Sequence, residues 1–411
     1  MQNHIIYNNI IWITGKYFAR SDTLLLIDEK VQALKDEVIS IRRHLHRIPE
    51  KGLNEHETTG YIYEYLKDLG INAEISPAGT GVIAYIEGKP GSKTIAFRAD
   101  IDALSIEEQT GAEYSSKNKG FMHACGHDGH AAVLLGFARL LVNLGNALDN
   151  NVLLVFQPAE EGPGGAEIIV KNGVLEQYNA NCIFGLHIFP DIEEGKIGCR
   201  PGALMAQTGE FDLYIEGKSC HGAMPHKGND ALIAASNVIL ALNTIVGRFT
   251  DPLEPAVITV GKMVSGERMN VIAGEALLQG TMRAFNDTTY NTLKNRVIKM
   301  AESISGAYGC SCRYEIRDMY PAVHNDERLY KILAEDIGGE DFVYMNPLML
   351  AEDFSYYQQR IPGLFFMLGA GNKAKGYIHP LHSNMFNFND EILITGVQLF
   401  YNLLRRCKQF Q

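Results

Sequence analysis

The chain has 411 residues, more than one hydrophobic core usually organises, so its length predicts two domains. Its composition, 46% hydrophobic and 21% charged, is typical of a globular protein. The net charge of −11 argues against nucleic acid as a partner, because phosphate binding requires a basic face. No stretch reaches the roughly 18 apolar residues of a membrane span, so no membrane partner is expected.

The N-terminal segment, residues 1–25, is apolar and contains no acidic residue before Asp22. It lacks a basic start and a small-residue cleavage site, so we predict a non-catalytic extension rather than a secretory signal. The seven cysteines are odd in number, and Cys125 lies among histidines rather than in a disulfide-like spacing. Reduced thiols and a cytoplasmic location are therefore expected.

The first part of the chain alternates helices with buried strands. Apolar residues recur at helical spacing over 29–48, Pro49 ends this helix, and a second helix is predicted at about 55–69. Strands are predicted within 81–88, 93–104, 151–158 and 182–189, and a helix over 127–145. This order predicts a largely parallel sheet covered on both faces, which places functional sites at the carboxyl ends of strands.

The pattern changes near Gly202, where a strand alternates polar and apolar residues over 205–218. A helix over 230–248, two strands, a helix over about 288–307 and a strand over 311–320 follow. Strand-helix-strand-strand-helix-strand is the order of a ferredoxin-like α+β domain. The apolar strand at 363–369 then resumes the first pattern. We therefore predict a catalytic domain at 26–201 and 319–411, interrupted by an inserted lid and dimerisation domain at 202–318.

Chemistry-bearing residues are concentrated in two stretches, "HACGHDGH" (123–130) and "FQPAEEGPGG" (156–165). Cys125 and His127 stand two apart before a helix, and thiolate and imidazole are good ligands for zinc and its neighbours. Glu160 and Glu161 follow an apolar strand and point in different directions, so one can bind metal while the other acts as a base. Each feature alone has an ordinary explanation, such as a solvated turn. Together they predict a two-metal site that hydrolyses an amide.

The sequence contains no other catalytic motif of comparable extent. The sequence contains no G-x-S-x-G elbow, no Walker loop and no complete dinucleotide fingerprint after "AGTGV".

The chain resembles the aminoacylase and hippurate-hydrolase family of metal-dependent amidohydrolases, which belongs to a larger group of di-zinc peptidases. The resemblance runs from about residue 29 to about residue 395. It is carried, in order, by "FRADIDALSIEEQTG", "GFMHACGHDGHAAVLLG", "FQPAEEGPGGA", "GLHIFPD", "GKSCHGAMPHKGNDA", "MNVIAGEALLQGTMRAF", "LAEDFSYY" and "LHSNMFNFND". Two departures are modest, since Ala131 and Asn384 replace a frequent threonine and proline without removing a ligand.

The resemblance implies a complete set of site residues. Cys125 would be the bridging ligand, as a thiolate in place of the aspartate of the peptidase relatives. The remaining metal ligands would be His127, Glu161, His187 and His382. Glu160 would be the general base that deprotonates the attacking water and later protonates the leaving amine.

Further roles follow from the same resemblance. Asp102, and less clearly Asp100, would orient a ligating histidine. His221 would polarise the scissile carbonyl, while Asn270 and Arg283 would hold the free carboxylate of the substrate. The other histidines near the motifs, His123, His130 and His379, are expected to make structural hydrogen bonds. Glu352 and Asp353 match the family but receive no role.

The predicted protein is a metal-dependent amidohydrolase that cleaves N-acyl amino acids, with acetyl, benzoyl or similar acyl groups, to a carboxylic acid and an amino acid. Its cofactors would be two divalent ions, zinc or manganese, with cobalt or nickel also open. A homodimer through the lid domain is implied by the resemblance. The alternatives are a dipeptidase or carboxypeptidase with the same site, a silent binding module, and a redox or nucleophilic role for Cys125.

Overall fold

The structure, a computed structural model, describes residues 26–145 and 148–407. The predicted extension at residues 1–25 lies outside the described residues. The chain divides into two compact units. Of the described residues, the first unit comprises those from 26 to Gly202, Asn325–Asn346 and those from Tyr356 to 407, and the second comprises Ala203–His324 and Pro347–Ser355.

The first unit is built from helices and strands that alternate along the chain. Its helices are α1 (Glu29–Gln32), α2 (Lys35–His46), α3 (His56–Asp68), α4 (His127–Leu144), α5 (Gly165–Lys171), α6 (Val174–Gln177), α10 (Glu327–Ile337), α11 (Ser355–Gln358) and α12 (Leu393–Arg406). Its strands are β1 (Asn72–Ile75), β2 (Val82–Ile86), β3 (Thr94–Asp100), β4 (Asn151–Gln157), β5 (Ala180–Glu193), β6 (Ile197–Cys199), β15 (Phe342–Tyr344) and β16 (Gly363–Gly371).

These strands form one eight-stranded sheet in the order β1-β2-β4-β3-β5-β16-β6-β15. The central strands β4, β3, β5 and β16 run parallel to one another. Antiparallel pairing is found between β1 and β2, between β2 and β4, and between β16 and β6. Every residue of β3 is buried, as a central strand covered on both faces requires.

Helix packing explains the apolar spacing at the start of the chain. Val31, Leu34, Val38, Ile41 and Leu45 are all buried and belong to the main core. Helix α4 is apolar on nearly all sides and lies in the interior, where its Phe137 ring contacts those of Phe97 and Phe400. The predicted single helix over 29–48 is two helices, because Ala33 and Leu34 form a turn between α1 and α2.

The second unit contains a four-stranded antiparallel sheet of β8 (Gln207–Glu216), β10 (Ala256–Ser265), β12 (Glu275–Ala284) and β13 (Ser311–Asp318). Its sheet order is β10-β12-β8-β13. Helices α7 (Ala231–Leu242), α8 (Ile245–Phe249) and α9 (Asp287–Ala307) pack on it, and β9 (Cys220–His221) pairs with β11 (Val271–Ile272). The chain passes between the units within β7 (Gly202–Met205) and within β14 (Val323–Asn325), and it does so again after Asn346 and after Ser355.

The predicted fold class is confirmed, with a largely parallel sheet in one unit and a ferredoxin-like strand order in the other. The bounds of the predicted domains and the role of residues 202–318 as a lid stay predictions. Within the described ranges, no helix has the length and apolar character needed to cross a membrane.

Candidate metal centre

Several predicted site residues lie in the central parallel strands of the first unit or just after them. Asp100 closes β3, Glu160 follows β4 by three residues, and His187 lies in β5. Gly126 precedes α4 with a φ of 88°, a left-handed conformation that glycine adopts readily. The chain can therefore turn sharply between Cys125 and His127.

The structure brings all five predicted ligands together in overlapping groups. Ligand atoms of Cys125, His127 and His187 lie within 4.8 Å of one another, as do those of Cys125, Glu161 and His382. Cys125 Sγ lies 3.4 Å from His187 Nε2. A thiol shared by two groups of imidazole and carboxylate ligands is an arrangement that suits two borderline divalent ions.

His127 supplies a direct test of whether this site fits a metal. Its Nδ1 donates hydrogen bonds to the carbonyl oxygen of Asp102 at 3.0 Å and to Asp102 Oδ1 at 3.2 Å. Its Nε2 is buried and has no hydrogen-bond partner among the described residues. A buried imidazole nitrogen is costly when unpaired, and a metal ion satisfies it. The donor set therefore fits a divalent cation.

His382 completes the second group of ligands. Its Nε2 lies 3.0 Å from Glu161 Oε1, yet that oxygen has no aligned hydrogen-bond partner within residues 26–145 and 148–407. The His382 side chain is 53% exposed, whereas that of Glu161 is 18% exposed. His382 thus lies at the open side of the group and depends on its loop for placement.

The Asp102 carboxylate contacts both the Glu160–Glu161 turn and the ring of His127. Its Oδ1 accepts a hydrogen bond from the backbone N–H of Glu160 at 3.1 Å, and its Oδ2 accepts one from the N–H of Glu161 at 3.0 Å. The same carboxylate accepts from His127 Nδ1. One side chain therefore fixes the turn that carries the two glutamates and the ring orientation of a predicted ligand.

His130 makes the structural hydrogen bonds expected of it. Its Nδ1 donates to Asp100 Oδ1 at 2.6 Å, and its Nε2 accepts the backbone N–H of Ile188 at 2.8 Å. Asp100 is held in turn by Arg98 at 2.7 Å. Since Ile188 follows His187, this chain of bonds fixes the position of that predicted ligand on β5.

The electrostatics of the centre favour a cation. Burial alone would lower the pKa of His127, but the carboxylates of Asp100, Asp102 and Glu161 raise it to about 10. Burial raises the pKa of the Cys125 thiol far above its usual range, and Glu161 and Glu160 raise it further. A nucleophilic thiol needs a lowered pKa, whereas a cation beside Cys125 would favour its thiolate form.

His187 and Glu161 already favour their ligating forms. Burial, reinforced by the charge of His130, holds the pKa of His187 well below its usual range. Its Nδ1 donates to the carbonyl of Ile188 at 2.8 Å, so its Nε2 is the nitrogen left to bind metal. Burial would raise the pKa of Glu161, but His382 and His127 lower it, and the carboxylate stays ionised.

Behind the "HACGHDGH" loop lies a buried ion network centred on Asp128. Asp128 Oδ2 accepts from Arg42 Nε and from His46 Nδ1, each at 2.8 Å. His46 Nε2 lies 3.3 Å from Glu108 Oε1. Arg42 also donates to Asp390 and stacks on the ring of Phe388. The start of α4 is therefore anchored by protein charges from several distant segments.

His123 differs from the expectation that it makes structural hydrogen bonds. It is 2% exposed, and neither ring nitrogen has a partner among the described residues. Burial, together with the charges of His46 and His127, lowers its pKa to about 3, although Asp128 acts in the opposite direction. The ring is therefore a neutral group packed beside the ion network.

The turn that carries Glu160 is held by contacts that no motif indicated. Glu55 Oε1 accepts the backbone N–H of Ala159 at 2.9 Å, and its Oε2 accepts the hydroxyl of Thr80 at 2.7 Å. A Cβ at Gly52 would lie 2.6 Å from the carbonyl oxygen of Gly162. Glu55 and Gly52 follow the first long helix, and the sequence contained no periodic or spacing signal that would have linked them to Glu160.

The three predicted substrate-contacting residues lie in the second unit. His221 and Val271 are paired between β9 and β11, and the N–H of Gly222 donates to the carbonyl of Asn270 at 2.8 Å, so His221 and Asn270 share one small ladder. Both are exposed. Arg283 lies half-buried on β12 and donates to the Thr281 hydroxyl at 3.2 Å. Their roles toward a substrate stay predictions.

Comparison with known proteins places the chain in a family. Residues 96–406 match the sequence model of peptidase family M20/M25/M40. An N-acetyl-L-cysteine deacetylase of Bacillus subtilis is 39% identical over 392 residues, which cover 94% of this chain and 92% of the relative. An IAA-amino acid hydrolase ILR1-like 4 of Arabidopsis thaliana is 37% identical over 411 residues, covering 98% and 93%.

Two further comparisons bear on the substrate and the metals. A thermostable carboxypeptidase 1 of Saccharolobus solfataricus is 36% identical over 383 residues, covering 91% of this chain and 96% of the relative. The crystal structure of the Bacillus subtilis YXEP protein, described as a dinuclear metal-binding peptidase, has a TM-score of 0.80 at 33% identity and covers 92% and 99%. The chain therefore belongs to peptidase family M20/M25/M40 and is a metal-binding enzyme that hydrolyses amide bonds.

Proposed function

We propose that the protein hydrolyses N-acyl amino acids with the help of two divalent metal ions. The observation that carries this proposal is the grouping of four ligand-type side chains around Cys125, with Glu160 close to two of them. The names of the deacetylase and amino acid hydrolase relatives support an N-acyl amino acid as substrate. The products would be a carboxylic acid and a free amino acid.

The residues divide the work in a simple way. The proposed metal ligands are Cys125, His127, Glu161, His187 and His382. Bound ions would polarise the amide carbonyl and make a water molecule acidic. Glu160 would take the proton from the attacking water and give it to the leaving amine. Asp102 would hold the backbone of the two glutamates so that they do not exchange roles.

The metals are proposed to be zinc or manganese, with cobalt or nickel as alternatives. Thiolate and imidazole favour zinc by their softness, whereas the carboxylate of Glu161 also suits manganese. Metal analysis of the protein as purified, followed by reloading with each ion, identifies the one that restores turnover.

The second unit is proposed to bind substrate and to form a homodimer. His221 would polarise the scissile carbonyl, and Asn270 and Arg283 would hold the free carboxylate. Helix α7 exposes Ile233 and Leu240 at 44% and 68%, an apolar face that would suit a second copy of the chain. Sedimentation velocity of the intact protein distinguishes a dimer from a monomer.

A cytoplasmic location is proposed on the evidence of the thiols. All seven cysteines lie in the described residues and none forms a disulfide. Free thiols are the usual state in a reducing compartment. Cell fractionation tests this assignment.

The test of the function compares two neighbouring variants, Glu160→Gln and Glu161→Gln. E160Q removes the proposed base, so turnover should fall by about 10²- to 10⁴-fold while the metal content persists. E161Q removes a proposed ligand and should lose metal. Loss of metal in E160Q would overturn the division of roles between the two glutamates.

A dipeptidase or carboxypeptidase with the same site is the second candidate, and the carboxypeptidase relative favours keeping it in the assay. Metal-stripped protein is reloaded and offered N-acyl amino acids and dipeptides. Release only from dipeptides would promote this alternative. No release from either substrate after full reloading would indicate a binding module.

A further inference from the structure

The loop that carries His382 is held differently from the other ligand-bearing segments. Apart from the short 3-10 turn Lys373–Lys375, residues 372–389 contain no regular element. His382 has a positive φ of 64°, which is uncommon for a residue other than glycine. Its backbone N–H donates to the carbonyl of Ala124 at 2.9 Å. Its placement therefore depends on contacts that fix the loop from outside.

A groove of about 700 Å³ lies between the first half of this loop and the end of β5. Ile192 and Glu194 line one side, and Asn372, Tyr377 and Ile378 line the other. The second half of the loop is held by apolar packing, since Phe386 and Phe388 are buried in the main core. At its first half, polar contacts cross the groove.

Glu194 provides those contacts. Its Oε1 accepts from Lys375 Nζ at 2.9 Å and from Asn389 Nδ2 at 2.7 Å, while its Oε2 accepts from Asn372 Nδ2 at 2.6 Å. Its backbone N–H donates to the carbonyl of Gly371 at 2.9 Å. One carboxylate thus ties the beginning of the loop to its end.

The position of Glu194 links two predicted ligands. It directly follows β5, the strand that carries His187, and it closes the loop that carries His382. Its side chain is 18% exposed, so its hydrogen bonds are partly shielded from water. Three charge-assisted hydrogen bonds from one carboxylate are stronger than neutral ones and impose a defined geometry.

We propose that Glu194 is a positioning residue that fixes the His382 loop. It thereby sets the affinity of the centre for its second metal ion, the one that Cys125, Glu161 and His382 would hold. This inference rests on the proposed two-metal function. Glu194 belongs to none of the groups of clustered ligand atoms in the described residues, and it contacts Asn372, Lys375 and Asn389 instead. Outer residues that hold a ligand commonly affect metal affinity by about 10- to 100-fold.

The experiment titrates Zn²⁺ into the metal-stripped full-length protein and measures each binding step by calorimetry. Glu194→Gln should weaken the second step by about 10- to 100-fold and leave the first step unchanged. Lys375→Met removes one of three donors and should weaken the same step less. The matched control is Glu193→Gln. The Glu193 side chain is 71% exposed and forms an ion pair with Lys196, so this variant should bind metal as the wild type does.

The possible outcomes distinguish failure of the Glu194 role from failure of the proposed two-metal function. Wild-type affinity for both ions in E194Q would overturn the role of Glu194 while leaving the two-metal function intact. A wild-type protein that binds fewer than two ions would overturn both. If circular dichroism finds E194Q unfolded, K375M decides the question, and unchanged affinity for both ions in that variant would refute the proposal.

Discussion

Asp102→Asn is the substitution that tests most directly how the centre is organised. The carboxylate accepts the Glu160 N–H and His127 Nδ1 on Oδ1, and the Glu161 N–H on Oδ2. An asparagine has a single acceptor oxygen. In the orientation that loses fewer hydrogen bonds, the asparagine oxygen keeps the two bonds made by Oδ1. Its NH2 group then faces the Glu161 N–H, and two donors cannot form a hydrogen bond. The opposite orientation loses two bonds.

The magnitude follows from that count. One hydrogen bond to a charged group contributes about 1.5–3 kcal/mol, and the N–H of Glu161 is left without its acceptor. A loss of about 2 kcal/mol corresponds to about thirtyfold, since about 1.36 kcal/mol is tenfold in rate. We therefore expect kcat/KM of D102N to fall by about 10- to 100-fold.

The assay measures the metal-dependent release of free amino acid from an N-acetyl amino acid, with metal content determined on the same sample. Asp68→Asn is the matched control, because Asp68 is exposed at the end of α3 and the same change of charge there should leave kcat/KM unaltered. If D102N keeps kcat/KM within about threefold of the wild type, a difference below about 0.7 kcal/mol, the reasoning fails.

Two further predictions concern the surroundings of the centre. Gly52→Ala places a Cβ 2.6 Å from the Gly162 oxygen and 2.9 Å from Ala159 Cα, so the turn must shift and kcat should fall by about 10- to 100-fold. Gly60→Ala, which meets nothing within 4 Å, is the control, and equal activity of the two variants would contradict the argument. Burial lowers the pKa of His46, but its buried carboxylate partners outweigh this and raise it above 6.5. Its stabilisation is therefore complete below about pH 6.5 and is lost as the pH rises through the raised value. The free energy of unfolding of the wild type should exceed that of His46→Gln by more at about pH 5.5 than at about pH 9, and a constant difference in urea titrations would refute this.

Some parts of the structure followed from sequence patterns because they depend on local periodicity. The buried strand β3 and the alternating strand β8 could be predicted from their apolar spacing. The break between α1 and α2 could not, since the apolar spacing continues through Ala33 and Leu34. A turn that preserves the buried face leaves no trace in the periodicity.

The site residues likewise fall into those that local sequence motifs predict and those that only long-range contacts reveal. Cys125, His127 and the two glutamates stand in compact motifs, so their proximity could be anticipated. Glu55, Glu108 and Glu194 reach the site region through contacts between residues 62 to 195 positions apart. Each is an ordinary glutamate in sequence, and only the three-dimensional structure identifies its partners.

The ion network around Asp128 has a consequence for how the enzyme exchanges its metals. In small zinc domains the ion supplies the folding free energy, so its removal unfolds the chain. Here the loop with Cys125 and His127 is tied to Arg42, His46 and Asp390 by the protein itself. Under the proposed two-metal function, we expect Cys125 and His127 to stay in place when an ion leaves, so that another ion can enter without refolding of their loop. The ion that occupies the centre would then be set by supply and relative affinity.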